Sequence, residues 1–190
     1  EVNKKQDIIL TAIKLFNANS FSSIGVDQIV HDSGVAKMTF YKHFPSKEKL
    51  IASCLLIKSS EIRDAILYEI NLKDEFDYLG KIKIIYDWHI RWIYSNNYNG
   101  CLFQKATIEI LNKYPALSKT ITDHKNWLRK LIEEFLIGLH VDQPKILTDI
   151  FLNVIDGLMI NVRNYSDMCK SKQSWSYIKK LILASRMLNI

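Results

Sequence analysis

The chain has 190 residues, 48% hydrophobic and 24% charged, enough apolar material for a sizeable core and too much for intrinsic disorder. Six glycines and three prolines leave few breaks, and no stretch alternates apolar and polar residues as a half-buried strand does, so the predicted fold class is all-α with about nine helices. The formal net charge of +6 suits a polyanionic partner, and no apolar run reaches the roughly 18 residues of a membrane span, so no membrane partner is predicted.

A first helix is predicted over about 3–18, with Ile8, Ile9, Ala12, Ile13 and Phe16 on one face. A short second helix over about 26–32 carries Val26, Ile29 and Val30 at helical spacing. Gly34 then falls where a tight turn between two helices needs a residue tolerant of positive φ. In a third helix over about 36–43, Val35, Phe40 and Phe44 are spaced to pack inward. Lys37, Met38, Thr39, Tyr41, Lys42 and His43 are left facing outward. Cations and hydroxyls bind phosphate, and Thr and Met can touch base edges; Lys37, Met38, Thr39 and Lys42 are expected to face base edges, and Tyr41, His43 and Lys47 mostly to hold phosphates. Pro45 stops the helix and Ser46 is a good N-cap for the next, whose first turn holds Lys47 near free backbone N–H groups. The unit reads as a helix-turn-helix and names its partner, the major groove of double-stranded DNA.

The run Gly34-Val35-x-Lys37-x-Thr39-Phe40-Tyr41-x-His43-Phe44-x-Ser46-Lys47, after the amphipathic set Ile9, Ala12, Leu15, Phe16, Phe21, Val26 and Ile29, resembles the tetracycline-repressor (TetR, AcrR-like) family of bacterial transcription regulators over about residues 4–55. There are departures. Asn19-Ser20 stands where the family usually has Gly before the aromatic, and Asn tolerates the left-handed C-cap conformation. Gly25 replaces a capping Ser or Thr, leaving Ser22 and Ser23 as the nearby hydroxyls. Val30 replaces a common Ala.

The remaining elements are predicted at about 47–70, 76–95, 102–112, 116–138, 144–165 and 173–189, with a loop at Asn96–Gly100. Residues 1–46 are expected to form the DNA-binding domain and 47–190 a helical ligand-binding and dimerisation domain. In the eighth helix Ile146, Leu147, Ile150, Phe151, Val154, Ile155, Leu158, Met159 and Val162 make a wide stripe, and Gly157 would admit a close neighbour. The ninth adds Ile178, Leu181, Ile182, Ser185 and Leu188. These stripes are either core or one half of a four-helix dimer interface, for which Phe151, Ile155, Leu158, Val162, Ile178, Leu181, Ile182 and Ser185 are the candidates. The resemblance implies the dimer.

It also implies a small-molecule effector held among the fourth to eighth helices. Trp88, His89, Trp92, Phe103, Thr107, Trp127, Asn153 and Asp156 are candidate pocket residues, because aromatic walls with a few polar groups suit a ligand; helical spacing allows the same aromatics to be plain core. Gly100-Cys101-Leu102-Phe103 resembles a Gly-Cys-x-Phe stretch in one branch of the family. Cys54, Cys101 and Cys169 have no metal or redox spacing, so reduced thiols in a cytoplasmic protein are expected, with redox sensing at Cys101 or Cys169 the alternative; the resemblance implies that this protein is bacterial and nucleoid-associated. No catalytic constellation or phosphate loop is present in the sequence, so neither an enzyme nor a cofactor is expected. The function implied is a homodimeric repressor released from a palindromic operator by its effector. The alternative is a helix-turn-helix protein acting as an activator or partner-dependent DNA-binding factor without a small-molecule ligand.

Overall fold

The computed structural model describes residues 2–162 and 168–187, and its elements there are helical: α1 (Val2–Ala18), α2 (Val26–Ser33), α3 (Lys37–His43), α4 (Lys47–Ile70), α5 (Tyr78–Ile93), α6 (Leu102–Glu109), α7 (Leu117–Gly138), α8 (Pro144–Asn161) and α9 (Met168–Ala184), with a 3₁₀ turn at Phe21–Ser23. No described helix is long and apolar enough to cross a membrane. Two compact units are present. One comprises the chain up to Ile62 together with Asn99–His124; the other comprises Arg63–Tyr98 and the chain from Lys125 on.

In the first unit, α1 turns Ile8, Ile9, Ala12, Ile13 and Phe16 into the interior, where they meet Ile29 of α2, Phe40 of α3, and Leu50 and Ile51 of α4, all buried. Helical spacing on α1 therefore builds the wall against which the short helices are set. The corner after α1 differs from the sequence expectation. Asn19 does not adopt positive φ; its side chain donates to Leu15 O at 3.0 Å, and Ser20 caps the 3₁₀ turn by accepting from Ser23 N. The turn seats Phe21 fully inside, 4.7 Å from the Phe16 ring.

In the second unit, Ile82, Ile85 and Tyr86 of α5, Ile132, Phe135 and Leu136 of α7, Leu147, Phe151 and Ile155 of α8, and Ile178 and Ile182 of α9 form the core. Between these four helices the void is only about 10 Å³, so the packing is dense. Asp77 caps α5, accepting from Gly80 N at 2.9 Å, so the helix starts at Tyr78 and not at 76. The ninth helix also departs from its expected span. It begins at Met168, where polar residues hide the helical period, and stops at Ala184. There Asp142 N donates to Ser185 O at 2.9 Å and Met187 N to His140 O at 2.8 Å, drawing the chain away into an antiparallel bridge. Leu188, the Cys169 side chain and the expected continuation of the eighth helix through 163–165 lie outside the described residues.

Candidate functional site

The turn between α2 and α3 is built by Gly34, at φ 67° and ψ 18°, with its N–H donating to His31 O at 3.2 Å. A side chain is strained in this left-handed region, and glycine is not. Ala36 then starts α3 in extended backbone without a side-chain cap. Phe40 and Phe44, one turn apart with ring centroids 6.1 Å apart, are buried and fix the rotation of α3 about its axis. Pinning these two residues decides what faces out. Lys37, Met38, Tyr41 and Lys42 are exposed, and Met38, at 86%, stands nearly clear of the protein. Thr39 and His43 are half-buried at the flanks.

Lys37 is engaged within the motif. Its Nζ lies 2.8 Å from Asp27 Oδ1 of α2, and the hydrogen bond and charge of that carboxylate raise its pKa. Asp27 was not foreseen as part of the site; nothing local in the sequence pairs residues ten apart across a turn. Lys47 is half-buried and turns inward. Its Nζ donates to Phe21 O at 2.5 Å and sits 5.9 Å from the Phe16 ring centroid; burial, then the charge of Lys113, lowers its pKa. Ser46 caps α4, accepting from Lys49 N at 3.2 Å. Gly25 starts α2 with no side-chain cap, and the hydroxyl of Ser23 donates to Ser20 O at 2.9 Å.

Helix α6 is bonded to the corner behind this motif. Lys105 Nζ donates to Phe16 O at 2.5 Å and to Asn19 O at 2.8 Å, while Glu109 Oε2 accepts from Phe21 N at 2.8 Å. Lys105 thus satisfies carbonyls at the end of α1, where a cation is also favoured by the helix dipole, while Glu109 and Lys47 take up the N–H and the carbonyl of Phe21. Lys105 and Glu109 escape a sequence reading because their partners lie more than eighty positions away.

The candidate pocket residues divide between the units. In the first unit Phe103 is buried and stacks on His124 with centroids 3.9 Å apart and planes at 7°; Ser59 Oγ lies 2.9 Å from His124 Nδ1. Thr107 is exposed and donates to Phe103 O on its own helix. In the second unit Trp88 and Trp92 are half-buried with centroids 5.7 Å apart, and Trp92 meets Tyr98 edge-on at 5.1 Å. His89 is buried. Its Nδ1 donates to Ile85 O at 2.7 Å, so the ring is held as one tautomer, and burial pushes its pKa down to about 4. Trp127 is half-buried beneath the guanidinium of Arg63, Asp156 pairs with Lys125 at 3.9 Å, and Asn153 is exposed. Among the described residues no group of His, Cys, Asp or Glu could hold a metal ion. Cys54 and Cys101 are buried thiols, and burial pushes Cys54 up to about 12, far from a reactive thiolate.

The eight candidate interface residues also separate. Phe151, Ile155, Ile178 and Ile182 are buried inside the protomer and have no surface to offer a second copy. Leu158, Val162 and Ser185 are half-buried, and the Ser185 hydroxyl donates to Leu181 O at 2.7 Å. Leu181 is exposed, as are Ile146, Ile150 and Ile160 on the outer side of α8. A Cβ added at Gly157 would meet nothing within 4 Å. Beside this face, Gln143, Ile146, Ile150, Leu181 and Met187 border a groove of about 340 Å³.

Residues 8–54 match the model of the bacterial regulatory proteins of the tetR family. Over 50 residues the chain is 42% identical to the HTH-type transcriptional regulator YerO of Bacillus subtilis, and over 61 residues 34% identical to EthR of Mycolicibacterium smegmatis. These alignments cover 26% and 31% of this chain but only 17% and 28% of the relatives, so the chain spans well under a third of either relative's length. In three dimensions the similarity extends over the rest. SCO4454, a TetR-family transcriptional regulator from Streptomyces coelicolor, superposes with a TM-score of 0.84 at 19% identity, covering 98% of both chains. The match in sequence is thus to the tetR-family motif over residues 8–54, and over the rest of the chain the likeness is one of fold.

Proposed function

We propose that this chain is a sequence-specific DNA-binding transcriptional regulator, acting as a homodimeric repressor that a small-molecule effector releases from a palindromic operator. The observation that carries the proposal is the outward face of α3, where buried Phe40 and Phe44 leave Lys37, Met38, Tyr41 and Lys42 exposed side by side. Met38 and Thr39 would meet base edges, while Lys42, Tyr41 and His43 hold phosphates. Lys37 would work from its pairing with Asp27, which orients it and offsets part of its charge. Lys47, tied to Phe21 O, would act chiefly by bracing the corner, and reaches phosphate only with donors left over from that bond.

One helix-turn-helix reads one half-site, so a second copy is needed to span a palindrome. The outer side of α8 with Leu181, apolar at Ile146, Ile150 and Ile160 and open at Gly157, is the face proposed for it. An effector acts only through different affinity for two arrangements of the dimer, typically worth about 1–3 kcal/mol. The bonds from Lys105 and Glu109 to the α1 corner offer a path by which a shift of α6 reorients the motif. The test is binding to an enriched duplex at several salt concentrations. Lys42→Ala should weaken binding and lower the slope of log K against log salt by about 1. An unchanged slope would remove Lys42 from the phosphate contacts.

A further inference from the structure

Among the described residues, every arginine but one has an acceptor. Arg91 is bonded to Glu69 at 2.5 Å, Arg129 is paired with Asp149, and Arg186 Nε donates to Leu139 O at 3.1 Å. Arg63, on α4, has no such partner, and its Nε is a buried donor with no acceptor. Its guanidinium lies over the indole of Trp127 on α7, 4.9 Å from the ring centroid. Stacking satisfies the face of the cation but none of its N–H groups, which point outward in the guanidinium plane. Arg63 is half-buried, and its Nε–H, shut off from water, calls for an acceptor that the described residues do not supply.

We propose that Arg63 and Trp127 form an anion subsite for the carboxylate of a small organic acid with a flat or aliphatic apolar body. The N–H edge of Arg63 matches a carboxylate's two oxygens, and the indole beside it offers an apolar wall to the body of the acid. Nearby cations on α7 are already committed, Lys125 to Asp156 and Arg129 to Asp149. One unneutralised guanidinium therefore fits a monoanion better than a phosphate dianion. As a signalling site this rests on the effector reading above; as a binding site it stands on Arg63 and Trp127 alone.

The experiment is a titration of the full chain with benzoate, indole-3-acetate and hexanoate, each beside its uncharged primary amide, followed by the ¹⁵N–¹H resonance of Arg63 Nε and by melting temperature. Acids should shift the Arg63 resonance saturably and raise the melting temperature, and the amides should not. Arg63→Gln should weaken acid binding about tenfold or more, the loss of a charge-assisted hydrogen bond. Trp127→Leu should weaken the two aromatic acids more than hexanoate, which gives a second readout if the Arg63 variant folds poorly. Two results would overturn the subsite: no acid moves the resonance, or acids and amides bind alike. The operator complex separates the two ideas. Acid binding through Arg63 without loss of DNA affinity keeps the subsite and removes the effector role. Release by compounds that bind Arg63→Gln as tightly as wild type keeps an effector and removes the subsite.

Discussion

At the scale of single residues, three positions have separable roles. Gly34 is held at φ 67° with open space where a Cβ would go, so Gly34→Ala is strained by the backbone alone. It should cost about 1–2 kcal/mol and lower the melting temperature by a few degrees, measurable by calorimetry. A melting temperature equal to wild type would mean the turn relaxes out of the left-handed region. Met38, by contrast, packs on nothing that stability depends on. Met38→Ala should leave the melting temperature unchanged and alter which duplexes are preferred; a uniform loss across sequences would count against base reading. His89 is legible by pH. Its folded pKa of about 4 lies below the ordinary 6.5, so the unfolded chain binds a proton that the folded chain refuses. Its contribution is complete above pH 6.5 and is lost as pH falls toward 4, by up to about 3 kcal/mol. Denaturant titrations from pH 7 to 4.5 should show a shallower loss in His89→Gln than in wild type, and parallel curves would show that His89 is not held neutral.

At the scale of elements, α6 is the piece whose role is carried by few bonds. Lys105→Met removes the donor to Phe16 O and Asn19 O, and Glu109→Gln weakens the acceptor for Phe21 N. The pair of substitutions should leave the fold intact and reduce how strongly any ligand of the regulator alters DNA affinity, checked by operator affinity with and without it. Coupling equal to wild type would exclude α6 as the relay. These bonds were beyond a sequence reading, since neither local period nor composition registers partners more than eighty residues apart. What was legible is equally physical. The α2–α3 motif could be read because a turn glycine, two inward phenylalanines and a proline stop act within a dozen residues. The stripe of α8 was visible, but its direction was not. Phe151 and Ile155 point into the protomer and Ile146, Ile150 and Ile160 away from it, because a stripe wider than one interface serves two. The start of α9 was obscured by its polar first turns, and its end by pairing of Asp142 with Ser185.

At the scale of the molecule, the proposed reading of a palindromic operator requires two copies. Two recognition helices must reach successive major grooves about 34–36 Å apart, which a single chain with one α3 cannot do. If the outer side of α8 is the contact, Gly157→Glu, whose Cβ would have open space within the protomer, should leave the isolated chain folded. Placing a charge in a helix contact, it should shift sedimentation toward the monomer. A dimer as strong as wild type would move the interface elsewhere. The most direct test of the whole account is selection of bound duplexes from a random pool at about 150 mM salt, near physiological strength, where non-specific phosphate binding is suppressed. Enrichment of an inverted repeat, replaced by a different preferred repeat in Met38→Ala, is the expected result. A pool that stays random, with binding that only tracks salt, would contradict sequence-specific recognition by α3.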